Sequence, residues 1–313
     1  MKKKLFILIF VTCAIFLTGH KKYNVTVAHN VSFLEIGDSS LVTEETLQET
    51  PSPITNVSAL QNLSTLRQNY YAVDKKTGMT SDLFDVNSFL STDLKIHAGK
   101  KPTILIFHTH AHEMFADSKD ISEGIIGAGN RLAKDLEEKY GIKCLHITDS
   151  FDTVNGKVQR DGAYERAEPV IKKVLAENPS IELVIDLHRD AIGSKSNYDP
   201  SVKIGDDVAA QLMFVIGTNG GGLYHPNWGS NLKFAIEFQA KANEMYPGLF
   251  KTMIVRNSRY NQNLGKAACI IEVGSTGNTL EQCINSMKYL SKVFEEYREQ
   301  KRILITLTPI RTF

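Results

Sequence analysis

The segment ILIFHTHAHE, residues 104–113, carries most of the information about the fold. Its first four residues are all apolar and follow Pro102, which is typical of a short strand buried on both faces. The strand runs directly into His108, His110, His112 and Glu113. Functional groups of open α/β sheets gather at the carboxyl ends of strands, so this boundary is the first candidate site.

Apolar runs of the same kind recur downstream and alternate with segments that have helical spacing. The pattern predicts further strands over residues 142–147, 183–187, 213–216 and 268–273. It predicts helices over residues 125–140, 164–176, 232–245 and 280–298. Strands that alternate with helices predict an α/β domain, with a mixed, largely parallel twisted sheet and helices on both faces.

The chain divides into three predicted parts. Residues 1–20 hold three lysines and then an apolar run, which indicates a signal anchor and a domain outside the cytoplasmic membrane; a cleaved leader and a secreted protein are the alternative. Residues 21–100 are weakly patterned and include a polar, acidic stretch, which predicts a partly disordered extracytoplasmic stalk. Residues 101–313 form the predicted catalytic domain.

Composition excludes several classes of protein. The chain has 313 residues, a formal net charge of +1 and 42% hydrophobic residues, so it can bury a full hydrophobic core without disulfides or structural metal ions. A balanced charge argues against nucleic acid as a partner. The four cysteines contain no close pair, so the sequence predicts neither a cysteine zinc site nor a disulfide framework.

Three predicted strands end in residues that can bind a metal. The strand over residues 183–187 runs into His188, which joins His110 and Glu113 as the predicted ligands of a catalytic zinc with one open position. His108 is the alternative to His110, because residues two apart in an extended chain share a face.

Glu272, in the strand over residues 268–273, is the predicted catalytic base that takes a proton from water and passes it to the leaving amine. Nucleophilic catalysis is not indicated. The chain has no G-x-S-x-G motif, and the glycine-rich residues 217–222 lack the lysine and hydroxyl residue of a phosphate-binding loop.

With these motifs the sequence resembles the stage II sporulation protein P family of endospore-forming bacteria. The resembling segments follow one another from residue 104 to residue 286: ILIFHTHAHEMF, GIIGAGNRLAKDLEEKYGIKCLHI, ELVIDLHRD, VIGTNGG, YPGLFKTMIVRNSRYNQNLG and IIEVGSTGNTLEQCINS. The resemblance implies a fold like that of the zinc-dependent N-acetylmuramoyl-L-alanine amidases. It implies cleavage of the bond between muramic acid and the stem peptide, and of stem-peptide crosslinks, in septal peptidoglycan during engulfment. Other membrane-anchored sporulation proteins are the implied partners.

By motif position, the resemblance assigns the metal to His110 and His188, its acid to Glu113 and the catalytic role to Glu272. One position departs from the amidase pattern, because the first helix carries Asn130 where a glutamate ligand would be expected. Three further residues are expected to bind substrate or shape the cleft: Arg189, Asn261 and Asn278. The alternative role of Arg189 is an ion pair with a neighbouring aspartate, and the alternative role of Asn278 is to cap the following helix.

Two other functions fit the same sequence. One is a binding module that holds cell wall or a partner protein on an amidase fold without catalysis. The other is a zinc carboxypeptidase-like peptidase, which would share the metal chemistry and differ in its products.

Overall fold

The computed structural model describes residues 71–73, 96–97, 99–191 and 197–299. The predicted signal anchor, most of the predicted stalk and the C-terminal residues 300–313 lie outside this range. Within it, none of the helices combines the length and the apolar character needed to span a membrane.

Eleven strands and four α-helices make up the described domain. The strands are β1 Tyr71–Val73, β2 Ile104–Phe107, β3 Cys144–His146, β4 Thr153–Val154, β5 Lys157–Val158, β6 Leu183–Asp190, β7 Ser201–Ile204, β8 Asp207–Ala210, β9 Leu212–Gly217, β10 Met253–Arg256 and β11 Ala268–Ser275. The helices are α1 Ile125–Tyr140, α2 Ala163–Glu177, α3 Trp228–Met245 and α4 Leu280–Glu299. Short 3₁₀ turns lie at Ile121–Glu123 and Gln262–Leu264.

Seven strands form one sheet in the order β1-β10-β9-β11-β6-β2-β3. Strands β11, β6, β2 and β3 are parallel to one another, as are β9, β10 and β1, and the two groups meet where β9 pairs antiparallel with β11. The predicted mixed, largely parallel sheet is confirmed. Strand β1 comes from the segment that the sequence assigned to the stalk.

Alternate residues of the central strands face two different layers. One face carries Ile185 and Leu187 of β6 and Ile271 of β11, and these lie in a large core with residues of α1, α3 and α4. The other face carries Val184 of β6 and Ala268 of β11, which pack with α2. The helices thus cover both faces, as predicted, and among the helices that the structure describes α2 is the one that packs on the second face.

Local signals set the ends of the predicted helices. Helix α1 ends before Gly141, which takes a left-handed conformation (φ 65°) and donates its N–H to the carbonyls of Glu137 and Leu136. Only glycine adopts this conformation without steric cost, so the glycine fixes the end of the helix. The predicted and observed bounds of α1 are therefore identical.

Gly129 on α1 lies against buried His108 and half-buried His146, which link the ends of neighbouring strands. A Cβ at this position would lie 2.6 Å from His146 Nε2 and 2.8 Å from His108 Nε2. We expect Gly129→Ala to lower the free energy of unfolding by about 1–2 kcal/mol, because overpacking outweighs the gain in helix propensity. Urea unfolding measures the loss.

Gly229 on α3 is the matched control, because a Cβ there meets no atom within 4 Å. Gly229→Ala should leave the stability unchanged or raise it by up to about 1 kcal/mol. Equal stability of the two alanine variants would contradict this account of Gly129.

Candidate active site

Three buried side chains that are distant in sequence meet at one end of the sheet. Suitable ligand atoms of His110, Glu113 and His188 all lie within 4.8 Å of one another. His110 Nδ1 is 3.4 Å from Glu113 Oε1, and His188 Nδ1 is 3.5 Å from Glu113 Oε2. The two imidazole rings meet edge to face, with centroids 5.1 Å apart. The carboxylate thus lies between two imidazoles.

Two buried aspartates hold the loop that carries His110 and Glu113. Asp186 of β6 accepts hydrogen bonds from the Thr109 backbone N–H at 2.8 Å and from the Thr109 hydroxyl at 2.6 Å. Asp152 contacts the His112 backbone N–H at 3.1 Å and His112 Nδ1 at 2.9 Å. The loop is therefore fixed on both sides of His110.

Glu113 has enough partners to remain charged although it is buried. It accepts a hydrogen bond of 2.7 Å from the Arg189 backbone N–H, and Arg160 Nη1 lies 3.8 Å from its Oε1. Burial opposes ionisation, but His188 and His110 outweigh that effect and hold the pKa of Glu113 well below its usual range. The carboxylate is thus available to a cation.

Asp186 also lies beside His188. His188 Nε2 is 2.8 Å from Asp186 Oδ1, and the two groups form an ion pair. Burial lowers the pKa of His188, but the charges of Asp186 and Glu113 outweigh it and raise that pKa well above its usual range. A carboxylate on the far nitrogen of a ligand histidine is the common means of orienting it.

Glu272 lies level with His188 on the neighbouring strand. The two residues are register partners in the parallel pair β11–β6, so their side chains share a face of the sheet. Glu272 Oε2 is buried and has no hydrogen-bond partner within the described structure. Burial and the nearby Asp190 carboxylate raise the pKa of Glu272 to about 8. This carboxyl group is suited to exchanging protons near neutral pH.

His108, the alternative ligand, faces away from this group. Its Nδ1 lies 2.8 Å from the Leu187 carbonyl and its Nε2 lies 2.8 Å from His146 Nε2, beneath α1. Burial lowers the pKa of His108 to about 4. The chain bends at Thr109, so His108 keeps the direction set by the strand while His110 turns to the opposite face.

Other residues singled out in the sequence do not join the group. By strand alternation the Arg189 side chain points to the face opposite His188, near Cys283 of α4, so only its backbone reaches Glu113. Asn261 donates to the Tyr164 carbonyl at 2.8 Å. Asn278 is buried and caps the turn after β11 through Ser275, and Asn130 is exposed.

Tyr164 and Arg160 belong to the site but carry no motif in the sequence. Tyr164 is the second residue of α2, and its ring centroid is 5.8 Å from that of His110. Arg160 precedes the same helix and keeps a partly exposed guanidinium beside Glu113. Both positions depend on how α2 packs over the sheet, which spacing along the chain does not reveal.

The group fits a divalent metal by its own chemistry. Two imidazoles and one carboxylate form the donor set that hydrolytic zinc sites use, and all three are buried close together. Asp186 supplies the outer contact that such sites use to orient a ligand. Glu272 stands on the same face without being needed as a ligand.

The sequence matches the model of a known protein family over most of its length. The model for stage II sporulation protein P matches residues 65–295. The chain belongs to this family. It is 26% identical over 214 residues to stage II sporulation protein P of Bacillus subtilis (strain 168), an alignment that covers 63% of the chain and 51% of the relative. The chain thus spans about half the length of the curated relative that it matches.

Solved structures with a similar backbone are N-acetylmuramoyl-L-alanine amidases. AmiC2 of Nostoc punctiforme is 11% identical with a TM-score of 0.38, and the match covers 64% of this chain and 97% of that one. An amidase of Clostridium difficile 630 is 15% identical with a TM-score of 0.39, covering 63% and 95%.

Metal binding tests the group directly. We expect the protein to bind one equivalent of zinc, and His110→Ala, Glu113→Ala and His188→Ala each to weaken binding at least about 100-fold by removing a donor. Titration calorimetry and metal content measure the effect. His97→Ala is the control, since His97 lies on the surface and pairs with Glu182. Full zinc affinity in His188→Ala would rule out the site.

Proposed function

We propose that this member of the family is a zinc-dependent peptidoglycan hydrolase that cleaves the N-acetylmuramoyl-L-alanine amide bond. The observation that supports it is the meeting of His110, Glu113 and His188 with Glu272 in register beside them. Three donors with a separate carboxylate on the same face form the arrangement that amide hydrolysis by water requires.

In the proposed mechanism the protein holds the ion, orients its ligands and moves protons. When bound, zinc supplies the acidification of water and the polarisation of the scissile carbonyl. His110, Glu113 and His188 would hold it, and Asp186 keeps the His188 ring in place.

Glu272 is the proposed proton carrier. Its carboxylate takes a proton from the attacking water and delivers it to the nitrogen of the leaving L-alanine. The unpartnered Oε2 leaves one oxygen free for this exchange, because no other described group competes for it. Burial and the Asp190 carboxylate raise the pKa of Glu272 to about 8, so this group can both accept and release a proton near neutral pH.

Substrate orientation is assigned to the mouth of the site. The stem peptide carries carboxylates, and Arg160 offers a partly exposed guanidinium that suits bidentate binding of such a group. Arg189, the candidate for this role in the sequence, turns its guanidinium to the other face. We therefore place the carboxylate contact at Arg160.

The proposed setting is septal cell wall outside the cytoplasmic membrane during engulfment, alongside other membrane-anchored sporulation proteins. Family membership supports it, and the apolar run within residues 1–20 supports an anchored or exported chain. Cleavage of stem-peptide crosslinks is a second activity that the same metal chemistry would support.

Digestion of purified sacculi tests the function. We expect free stem peptides and intact glycan strands when zinc is present, and none after chelation, because the ion is part of the chemistry. Shortened stem peptides that stay attached to glycan would indicate a carboxypeptidase instead. Absence of every soluble product from the zinc-loaded protein would overturn the proposal in favour of a binding module.

Glu272→Gln tests the proton carrier. The variant should keep its zinc and lose about 100-fold to 10,000-fold in turnover, since an amide of equal size cannot accept the proton. Glu281→Gln is the matched control, an exposed glutamate in the first turn of α4. Turnover in Glu272→Gln equal to that of the control would remove Glu272 from this role.

A further inference from the structure

We propose that Tyr164 is a catalytic residue, whose hydroxyl donates a hydrogen bond to the carbonyl oxygen of the scissile amide as negative charge develops there. This inference rests on the proposed hydrolysis and adds the group that stabilises the oxyanion. Such a donor is often the largest single contribution of the protein to amide hydrolysis.

The hydroxyl of Tyr164 is buried and has no partner in the described part of the chain. Other tyrosines of the domain satisfy theirs: Tyr289 donates to the Ile204 carbonyl and contacts Asp207, and Tyr297 contacts Glu237. A buried hydroxyl without a partner costs stability, so its persistence beside a site points to a ligand that completes it.

The ring of Tyr164 lies in the site rather than near it. Its centroid is 5.8 Å from that of His110 and 5.6 Å from that of Tyr260. Burial, followed by the charges of Asp186, Glu272 and Glu113, raises the pKa of the hydroxyl well above its usual value. The ring packs directly against one of the predicted ligand histidines.

The backbone around Tyr164 is held rigidly. Asn261 donates to the Tyr164 carbonyl at 2.8 Å from a left-handed conformation (φ 55°). The next residue, Gln262, accepts from the Gly217 N–H at 2.8 Å and donates to the Val215 carbonyl at 2.9 Å. The start of α2 is thus tied to strand β9, and a fixed donor needs no reorganisation when charge develops. Asn261, predicted to bind substrate, would instead position Tyr164.

The bonds and protons of the proposed step balance. Water adds to the carbonyl carbon, and its proton passes to Glu272. The carbon–nitrogen bond then breaks, and Glu272 returns the proton to the leaving amine. Tyr164 keeps its own proton throughout and contributes only the hydrogen bond, which shortens as the oxygen gains charge.

The Tyr164→Phe variant removes the hydroxyl and keeps the ring. We expect turnover to fall about 100-fold, with KM and zinc content unchanged. A second measurement is binding of a phosphinate analogue of N-acetylmuramoyl-L-alanyl-D-isoglutamine, which carries the tetrahedral anionic geometry. Its affinity should fall with turnover, because the donor favours the transition state over the substrate.

Tyr140→Phe is the control, since Tyr140 lies at the far end of α1 near Lys292. If Tyr164→Phe turns over substrate as fast as the unmodified protein, the role of the hydroxyl is overturned. Loss of zinc or of substrate affinity in this variant would overturn it as well. In both cases hydrolysis by the unmodified protein would leave the proposed function in place. A zinc-loaded wild-type protein without hydrolysis would overturn both, so the two failures are distinguishable.

Discussion

The burial of the Glu113 carboxylate is the constraint on which the site depends. A charge this deep in the domain must be matched by partners, and the chain supplies them from separate segments: the Arg189 N–H, His188 and His110. Meeting that demand brings the loop after β2 against β6. The backbone carbonyl of Glu113 also accepts from the Ile125 N–H at the start of α1, so one residue joins loop, sheet and helix.

The alternation of side chains along the strands then determines which residues of β6 and β11 face the site. Asp186 and His188 share a face of β6, and Glu272 joins them through the register of β11. Arg189 falls between them and is turned away. The sequence pattern DLHRD contains this information, because a period of two separates the residues into two sets. The prediction for Arg189 did not use that period, and His188 and Glu272 were predicted from their positions at the ends of strands.

The strands and helices of the core were predicted correctly where buried positions coincide with a clear apolar pattern in the sequence. Continuous apolar runs predicted β2, β6, β9 and β11, and terminal signals such as Gly141 set the helix ends. Strand β10 was missed because its apolar run is shorter than that of β2 and ends in Arg256, and β1 because the sequence around it shows no pattern. The contributions of Tyr164, Asp152 and His146 arise from packing between distant segments, which no local pattern encodes.

The charges of the site favour the binding of a cation. Glu113, Asp186 and Glu272 approach one another on one face, and Asp190 adds a fourth acid whose partner is the buried Lys251, 3.5 Å away. Burial and the Asp190 carboxylate raise the pKa of Glu272 and favour its neutral form, while Asp186 and Glu113 raise the pKa of His188 in spite of its burial. A divalent ion held by His110, Glu113 and His188 would replace the histidine proton and favour the ionised form of Glu272. The acids of this site thus have different roles in the proposed mechanism: Glu113 would hold the ion, Asp186 orients His188 and Glu272 transfers the proton.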